Sequence, residues 1–406
     1  MTQTGSVGSL PVWREAAAIA LLMTATLKIM ANATISPALP ALEASFADDP
    51  GAAMLTRFLV SAPSLTVVLV APFAGYAADR FGRMPLLLAG IVLFVASGSA
   101  GAYLPDLTSI LISRLVLGVA VAMTATAQVA LAGDLFHGER RSSFMGLQVA
   151  AVNFSGFLFI SSAGLLAGLS PRLPFLVYLL PVFVLPLLIS IARRQSVNNE
   201  AASKQEPHSQ SGQQPLTHAW MIPALSVGAL TMVTVMLFFI MPSQLPFYLD
   251  GAGFDSASGT AMGLGALTLT GGAAAITFQH IRERLGTALT FGAGYLLMAT
   301  GFALLAYEAS WGFILPGAAL VGAGYGLVQP AFLLLALQVA PPERRGRVSG
   351  IVTTSIFLGQ VISPLLLTPA IHEIGFPSVF LACGCTFFGL AAISAAVAIR
   401  CPVEAG

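Results

Sequence analysis

Charge is scarce in this chain: Asp, Glu, Lys and Arg together make up 9% of 406 residues, while 56% are hydrophobic. A water-soluble fold is excluded, because so little polar surface would leave large apolar patches facing water. Three cysteines are too few and too badly placed for a disulfide framework. Cys383 and Cys385 lie two apart on a helical stretch, so they point to different faces, and Cys401 sits in the tail. There is no His-x-x-x-His, no Cys/His cluster and no intramembrane Asp pair, which argues against a metal site or a membrane-embedded enzyme. A phosphate-binding Gly-rich loop ending in Lys-Ser/Thr is also missing, so ATP drive is unsupported and no cofactor is expected.

What is present is a series of apolar runs. A membrane-crossing helix needs about 20 mostly apolar residues. Twelve runs qualify: 16–37, 56–77, 85–104, 107–131, 144–168, 174–192, 219–241, 257–279, 287–307, 310–337, 348–370 and 375–399. None alternates as barrel strands do, so the expected fold is an all-α membrane protein of twelve transmembrane helices. Arg14, the apolar stretch 16–27 and Ala31-Asn32-Ala33 imitate a cleaved signal peptide, but Lys28 interrupts the apolar region, so the segment reads as a retained first span. The only long polar stretch is 193–218. It reads as a linker between an N-terminal six-helix bundle, 1–192, and a C-terminal six-helix bundle, 219–406.

Most cations fall on one face, among them Arg80, Arg83, Arg140, Arg141, Arg282, Arg284, Arg344, Arg345 and Arg347. The same face holds both termini, which the positive-inside rule makes cytoplasmic. The two bundles also carry a common offset. Gly286 and Gly82 are 286 − 82 = 204 residues apart, and Glu139-Arg140-Arg141 returns as Glu343-Arg344-Arg345 at 343 − 139 = 204. Gly118 with Gly322, and Gly146 with Gly350, repeat that spacing. Parallel repeats about an axis along the membrane normal are a transporter plan, whereas a receptor or scaffold has no need of doubling.

The most specific motif is Gly75-x-x-x-Asp79-Arg80-x-Gly82-Arg83, between the second and third runs. Gly75 and Gly82 would allow close helix approach and an unusual backbone angle, and Asp79 would accept from Arg83 or sit at a helix N-terminus. This segment resembles the signature of the major facilitator superfamily. Arg114-x-x-x-Gly118 is similar to the fourth-span motif of that superfamily's proton-linked drug exporters, and Thr34-Ile35-Ser36-Pro37-Ala38-Leu39-Pro40 to the end of their first span. The resemblance implies two pseudo-symmetric six-helix bundles, alternating access, and a gate formed by Gly75, Asp79, Arg80, Gly82 and Arg83, with Asp79 locking the second span against the eleventh. It also implies export of a small organic compound, coupled to protons, from the inner membrane. Two positions depart from the pattern. Asn32 stands where many such exporters carry an acid, and the fifth span has Ala163-Gly164-Leu-Leu-Ala167-Gly168 where a Gly-Pro pair is usual. Both favour the alternative of an anion or metabolite uniporter or exchanger without proton coupling.

Two cations lie deep in the spans, Lys28 near the middle of the first and Arg114 about 10 Å into the fourth. A charge at such depth costs at least ~2.5–3.5 kcal/mol, so it normally faces a cavity and serves function. Thr24, Lys28, Asn32 and Ser36 recur every four residues as one polar stripe. Lys28, Asn32 and Arg114 are therefore expected to line a positively biased cavity for an anionic or zwitterionic ligand. Asn153, Tyr325 and Gln329 join them as substrate-contacting or coupling candidates, with Gln148 and Gln360 behind. Met236, Phe238 and Phe239 offer an apolar wall, and His280 and His372 fall at span ends. The expected partners are a small-molecule substrate, protons and the lipid bilayer, with no nucleic acid, and a monomeric state.

Overall fold

The computed structural model describes residues 15–49, 51–136, 138–191, 220–339 and 345–400. The linker expected at 193–218 and Cys401 lie outside the described residues.

Ten helical segments are long and apolar enough to cross a membrane, two of them 52 and 50 residues long. Glycine turns resolve these two into pairs. The stretch Ser256–Tyr307 reverses at Gly286, where φ is 79° and ψ 168°, and Arg345–Arg400 reverses at Gly375, with φ 78° and ψ 163°. An L side chain rarely adopts that backbone region, so glycine permits the reversal without strain. Twelve spans result: α1 (Ala16–Ser45), α2 (Ala52–Phe81), α3 (Arg83–Ser99), α4 (Leu107–Leu135), α5 (Gly138–Ala167), α6 (Leu173–Ile191), α7 (Met221–Gly251), α8 (256–285), α9 (287–307), α10 (Trp311–Val339), α11 (345–374) and α12 (376–400).

Two spans are discontinuous for a local reason. Proline lacks the N–H that would bond back four residues and disfavours helix at the residue before it. In α1, Pro37 coincides with a 3₁₀ turn at Ser36–Ala38, and the helix resumes at Leu39–Ser45, well past the expected end at 37. In α7, Pro242 follows the break between Met221–Phe238 and Ile240–Gly251. Asp106 caps α4 by accepting from the Ser109 amide at 2.8 Å, and Asp255 caps α8 from Ser258 at 3.0 Å.

The repeat is written into the packing. A Cβ added at Gly118 would lie 2.2 Å from the Pro63 carbonyl oxygen, and one at Gly322 would lie 2.0 Å from that of Leu267. Partners as well as glycines are therefore related by 267 − 63 = 204. Gly90 on Thr124 and Gly294 on Val328 repeat the relation. Close backbone approach at small residues is how helices pack where lipid removes the hydrophobic drive between them. Outward-facing Phe73, Leu165, Phe183 and Ile399 are more than 70% exposed, as side chains bathed in lipid would be.

The two bundles meet unevenly. Toward the face opposite the Gly82 turn, Arg57 of α2 stacks on Phe247 of α7 at 3.9 Å, and Gly164 of α5 abuts Ala261 of α8. On the Gly82 side, Cβ atoms placed at Gly75 of α2 and Gly350 of α11 would meet nothing within 4 Å, and Tyr76 is 64% exposed. Among the described residues, these contacts between the bundles lie on the face opposite the Gly82 turn.

Candidate functional site

The site grows from the middle of α1, where the helix is broken and polar. Lys28 is half-buried, its Nζ 5.0 Å from the centre of the Phe357 ring on α11. Among the described residues no carboxylate pairs with it. One turn further, Asn32 Nδ2 donates to Gln360 Oε1 at 3.0 Å, and the Ser64 hydroxyl of α2 donates to the same oxygen. Gln360 therefore ties α1 and α2 of one bundle to α11 of the other. Ser64 was not foreseen from sequence, since a lone serine in an apolar run gives no signal.

Breaks in α1 split the expected polar stripe. Thr24 turns inward, is 3% exposed and bonds to the Ala20 carbonyl, and Ser36 is fully buried on the 3₁₀ turn. Lys28 and Asn32, the middle pair, reach α11 of the other bundle. Arg114 departs further from expectation. Its guanidinium lies inside the N-terminal bundle, 0% exposed, 4.6 Å from the Tyr178 ring and 5.0 Å from the Phe175 ring, both on α6. Nε, Nη1 and Nη2 all lack a hydrogen-bond partner among the described residues. Burying an ion this way costs several kcal/mol, of which two aromatic faces recover about 2 kcal/mol or more.

Across the interface, Tyr325 of α10 stacks on Phe238 of α7 with centroids 3.8 Å apart and planes 9° apart, and Gln329 one turn on is exposed. This joins a predicted polar residue to the predicted apolar wall, while Phe239 is turned into the core at 4% exposure. Met236 is packed at the edge of the C-terminal core. Asn153 donates to its own helix at Val149 and rests against Gly272 of α8, placing it at the α5–α8 crossing. Gln148 accepts from Gln128 of α4 at 3.3 Å within the N-terminal bundle. His280 and His372 are exposed.

At the Gly82 turn one expectation needs correction: Gly75 supports no close approach among the described residues, because the space beside it is open. Arg83 forms an ion pair with Asp134 at the end of α4 and donates to the Ala130 carbonyl at 3.2 Å, a contact that crosses to a neighbouring helix. The Asp79 side chain lies outside the described residues. Arg80 is exposed and donates to Tyr76 Oη at 3.1 Å. Gly82 does adopt the unusual angle, φ 91° and ψ 146°, matching Gly286.

One feature was invisible in sequence. Arg57 and Glu43 form an ion pair at 2.9 Å, with Arg57 only 8% exposed. The continuation of α1 to Ser45 brings Glu43 to α2. Their cation–π contact with Phe247 links the pair to the second bundle on the closed face.

The sequence profile of the Major Facilitator Superfamily matches residues 21–278 and 268–405. The tetracycline resistance protein of class C from Escherichia coli is 26% identical over 360 residues, covering 87% of this chain and 89% of that protein. The class G protein from Vibrio anguillarum is 28% identical over 366 residues, with 87% and 90% covered. Among solved structures, an inward-open xylose transporter from E. coli superposes with a TM-score of 0.70 at 16% identity, covering 93% of this chain and 94% of its own. A D-xylose–proton symporter gives 0.75 at 16% identity, with 93% and 96% covered.

Proposed function

The chain belongs to the Major Facilitator Superfamily, a multi-pass membrane transporter and not an enzyme, and from that premise we propose that it exports a small anionic or zwitterionic organic compound by alternating access. Its activity is secondary active transport of a small molecule, driven without ATP. The cation-rich Gly82 face is the cytoplasmic one, so the state described is open to the cytoplasm and closed outside. The protein acts as a monomer in the inner membrane, with both termini in the cytoplasm. The resistance proteins among its relatives support the direction of transport and the drug-like class of cargo.

One observation carries the choice of cargo. Lys28, half-buried at mid-membrane between the bundles, has an aromatic face beside it and no carboxylate among the described residues to neutralise it. A lone desolvated cation favours an anionic group on what binds next to it. Asn32, Tyr325 and Gln329 supply hydrogen bonds and a stacking surface around that charge, with Asn153 at the α5–α8 hinge and Arg114 supporting α1 from inside the bundle. The turn with Gly75, Asp79, Arg80, Gly82 and Arg83 acts as the cytoplasmic gate.

Flux in reconstituted vesicles tests this with a panel of anionic, neutral and cationic compounds. Lys28→Ala should depress flux of the anionic members at least tenfold and spare the neutral ones. Equal loss across the panel would make the lysine structural and remove the cargo assignment.

Coupling to protons is the first reading, and one observation favours the alternative of an exchanger without it. Among the described residues the buried charged side chains are Arg57 and Arg114, with no Asp or Glu. Adding substrate to everted vesicles holding a proton gradient separates the two. Alkalinisation of the lumen supports proton antiport, and no response supports exchange.

A further inference from the structure

We infer that the N-terminal bundle contains an internal site for a small monovalent anion, built around Arg114 at the break of α1 and separate from the compartment facing Lys28. Its occupant is a halide-sized ion or a carboxylate group.

Arg114 is 0% exposed, and all three guanidinium nitrogens lack hydrogen-bond partners among the described residues. Buried charges in proteins are ordinarily paired and hydrogen-bonded, and a guanidinium cannot escape its charge by losing a proton at neutral pH. The two aromatic rings beside it take up its π-faces but leave the in-plane N–H groups unused. Those five donors, in a rigid fork, suit an acceptor with negative charge.

Further donors lie close by. The Tyr178 hydroxyl donates to the Met30 carbonyl at 2.9 Å, and its oxygen, within reach of Arg114 and Thr34, is a neutral acceptor that leaves the guanidinium charge unbalanced. Thr34 Oγ1 is buried without a partner, and so is Ser36 Oγ two residues along the same break. The Thr34 hydroxyl and the Arg114 guanidinium, both beside Tyr178 at the α1 break, provide donors in excess of acceptors. Irregular backbone at membrane depth is tolerated where it is enclosed in protein or lines a cavity, and broken helices in transporters commonly mark ion sites. The neighbouring polar groups do not answer the need. Asn32 is committed to Gln360 in the other bundle, and Glu43 to Arg57.

The site does not depend on which compound is exported, so it is tested by binding and stability rather than flux. Purified protein in detergent is melted in gluconate, which is too large to enter, and then with chloride, bromide, formate or acetate replacing it at constant ionic strength. Wild type should melt several degrees higher in the small anions. Halides alone acting would define a spherical-ion site, and formate and acetate acting as well would define a carboxylate-reading one. The rise should vanish in Arg114→Gln and shrink in Thr34→Val. If Arg114→Gln does not fold, crystals of wild type soaked in bromide supply the second measurement, with an anomalous peak expected beside the guanidinium. The inference is overturned if wild type melts alike in all salts, if Arg114→Gln keeps the full response, or if the soaked crystals hold only water there.

Discussion

Replacing Gln360 by leucine should tip the transporter away from the state described here. The side chain accepts from Asn32 and Ser64, so it forms two hydrogen bonds between α11 and the opposite bundle near mid-membrane. Parting α11 from α1 and α2 at the outer face would break both bonds, so they favour the arrangement described here. Hydrogen bonds between membrane helices average ~0.6 kcal/mol each, which gives ~1.2 kcal/mol for the pair, or about an eightfold shift in the ratio of the two states. The full desolvation penalty does not add to this. Asn32 is half-buried beside the open compartment and finds water there, and Ser64 can turn back to a carbonyl on its own helix. Spin labels at Tyr103 and Tyr307, exposed positions related by 307 − 103 = 204, would report the outer face by electron–electron dipolar distances. A second pair at Phe81 and Leu285 would report the cytoplasmic face. The long-distance population of the outer pair should grow about eightfold in Gln360→Leu while the inner pair contracts, and Ser64→Ala alone should give about a threefold shift. Unchanged distributions, or a shift toward the inward-open state, would show that these bonds do not distinguish the two states.

Four other outcomes follow from the same contacts. Gly118→Leu and Gly322→Leu should each cost about 1–3 kcal/mol or more by forcing α4 from α2 and α10 from α8, read as a lower melting temperature in detergent. Gly82→Ala should cost about 1–3 kcal/mol because its backbone lies in a region essentially restricted to glycine, whereas Gly75→Ala, facing open space, should leave the melting temperature unchanged. Arg57→Gln should loosen the outer closure through loss of the Glu43 pair and the Phe247 contact, raising alkylation of a cysteine placed at Ala261, where α8 abuts Gly164 of α5, from the periplasmic side. Bonding to the Ser109 amide holds the Asp106 carboxyl below its ordinary range. Its capping contribution is therefore present above the unfolded carboxylate pKa and lost as pH falls through the lower folded value. The stability difference between wild type and Asp106→Ala should shrink over that acidic interval and stay constant at neutral pH.

The chain's own composition and spacing determined the environment, the number of spans and the doubling, and the resemblance of its motifs pointed to the family. Those properties depend on periodicity and on glycines, which leave a mark wherever backbone must turn or approach closely. The offset of 204 recovered both the turn geometry of Gly82 with Gly286 and the packing of Gly118 with Gly322. Lys28 and Asn32 were legible as a polar pair for the same reason, since four residues bring side chains to one helix face.

What the tertiary structure decided was direction and partnership. A helical position fixes a side chain's angle about its own axis, but which neighbour occupies that angle depends on how twelve helices are arranged. Arg114 thus points to α6 and the interior of its bundle rather than to the interface. Glu43 meets Arg57 because α1 resumes after its proline break, and Gln360 becomes a bridge only when the two bundles close against each other. The contact across the bundles, with Arg57 stacked on Phe247 and open space beside Gly75, is a relation between elements far apart in the chain. Local sequence cannot encode it, because the same residues must serve both the inward-open and the outward-open arrangement.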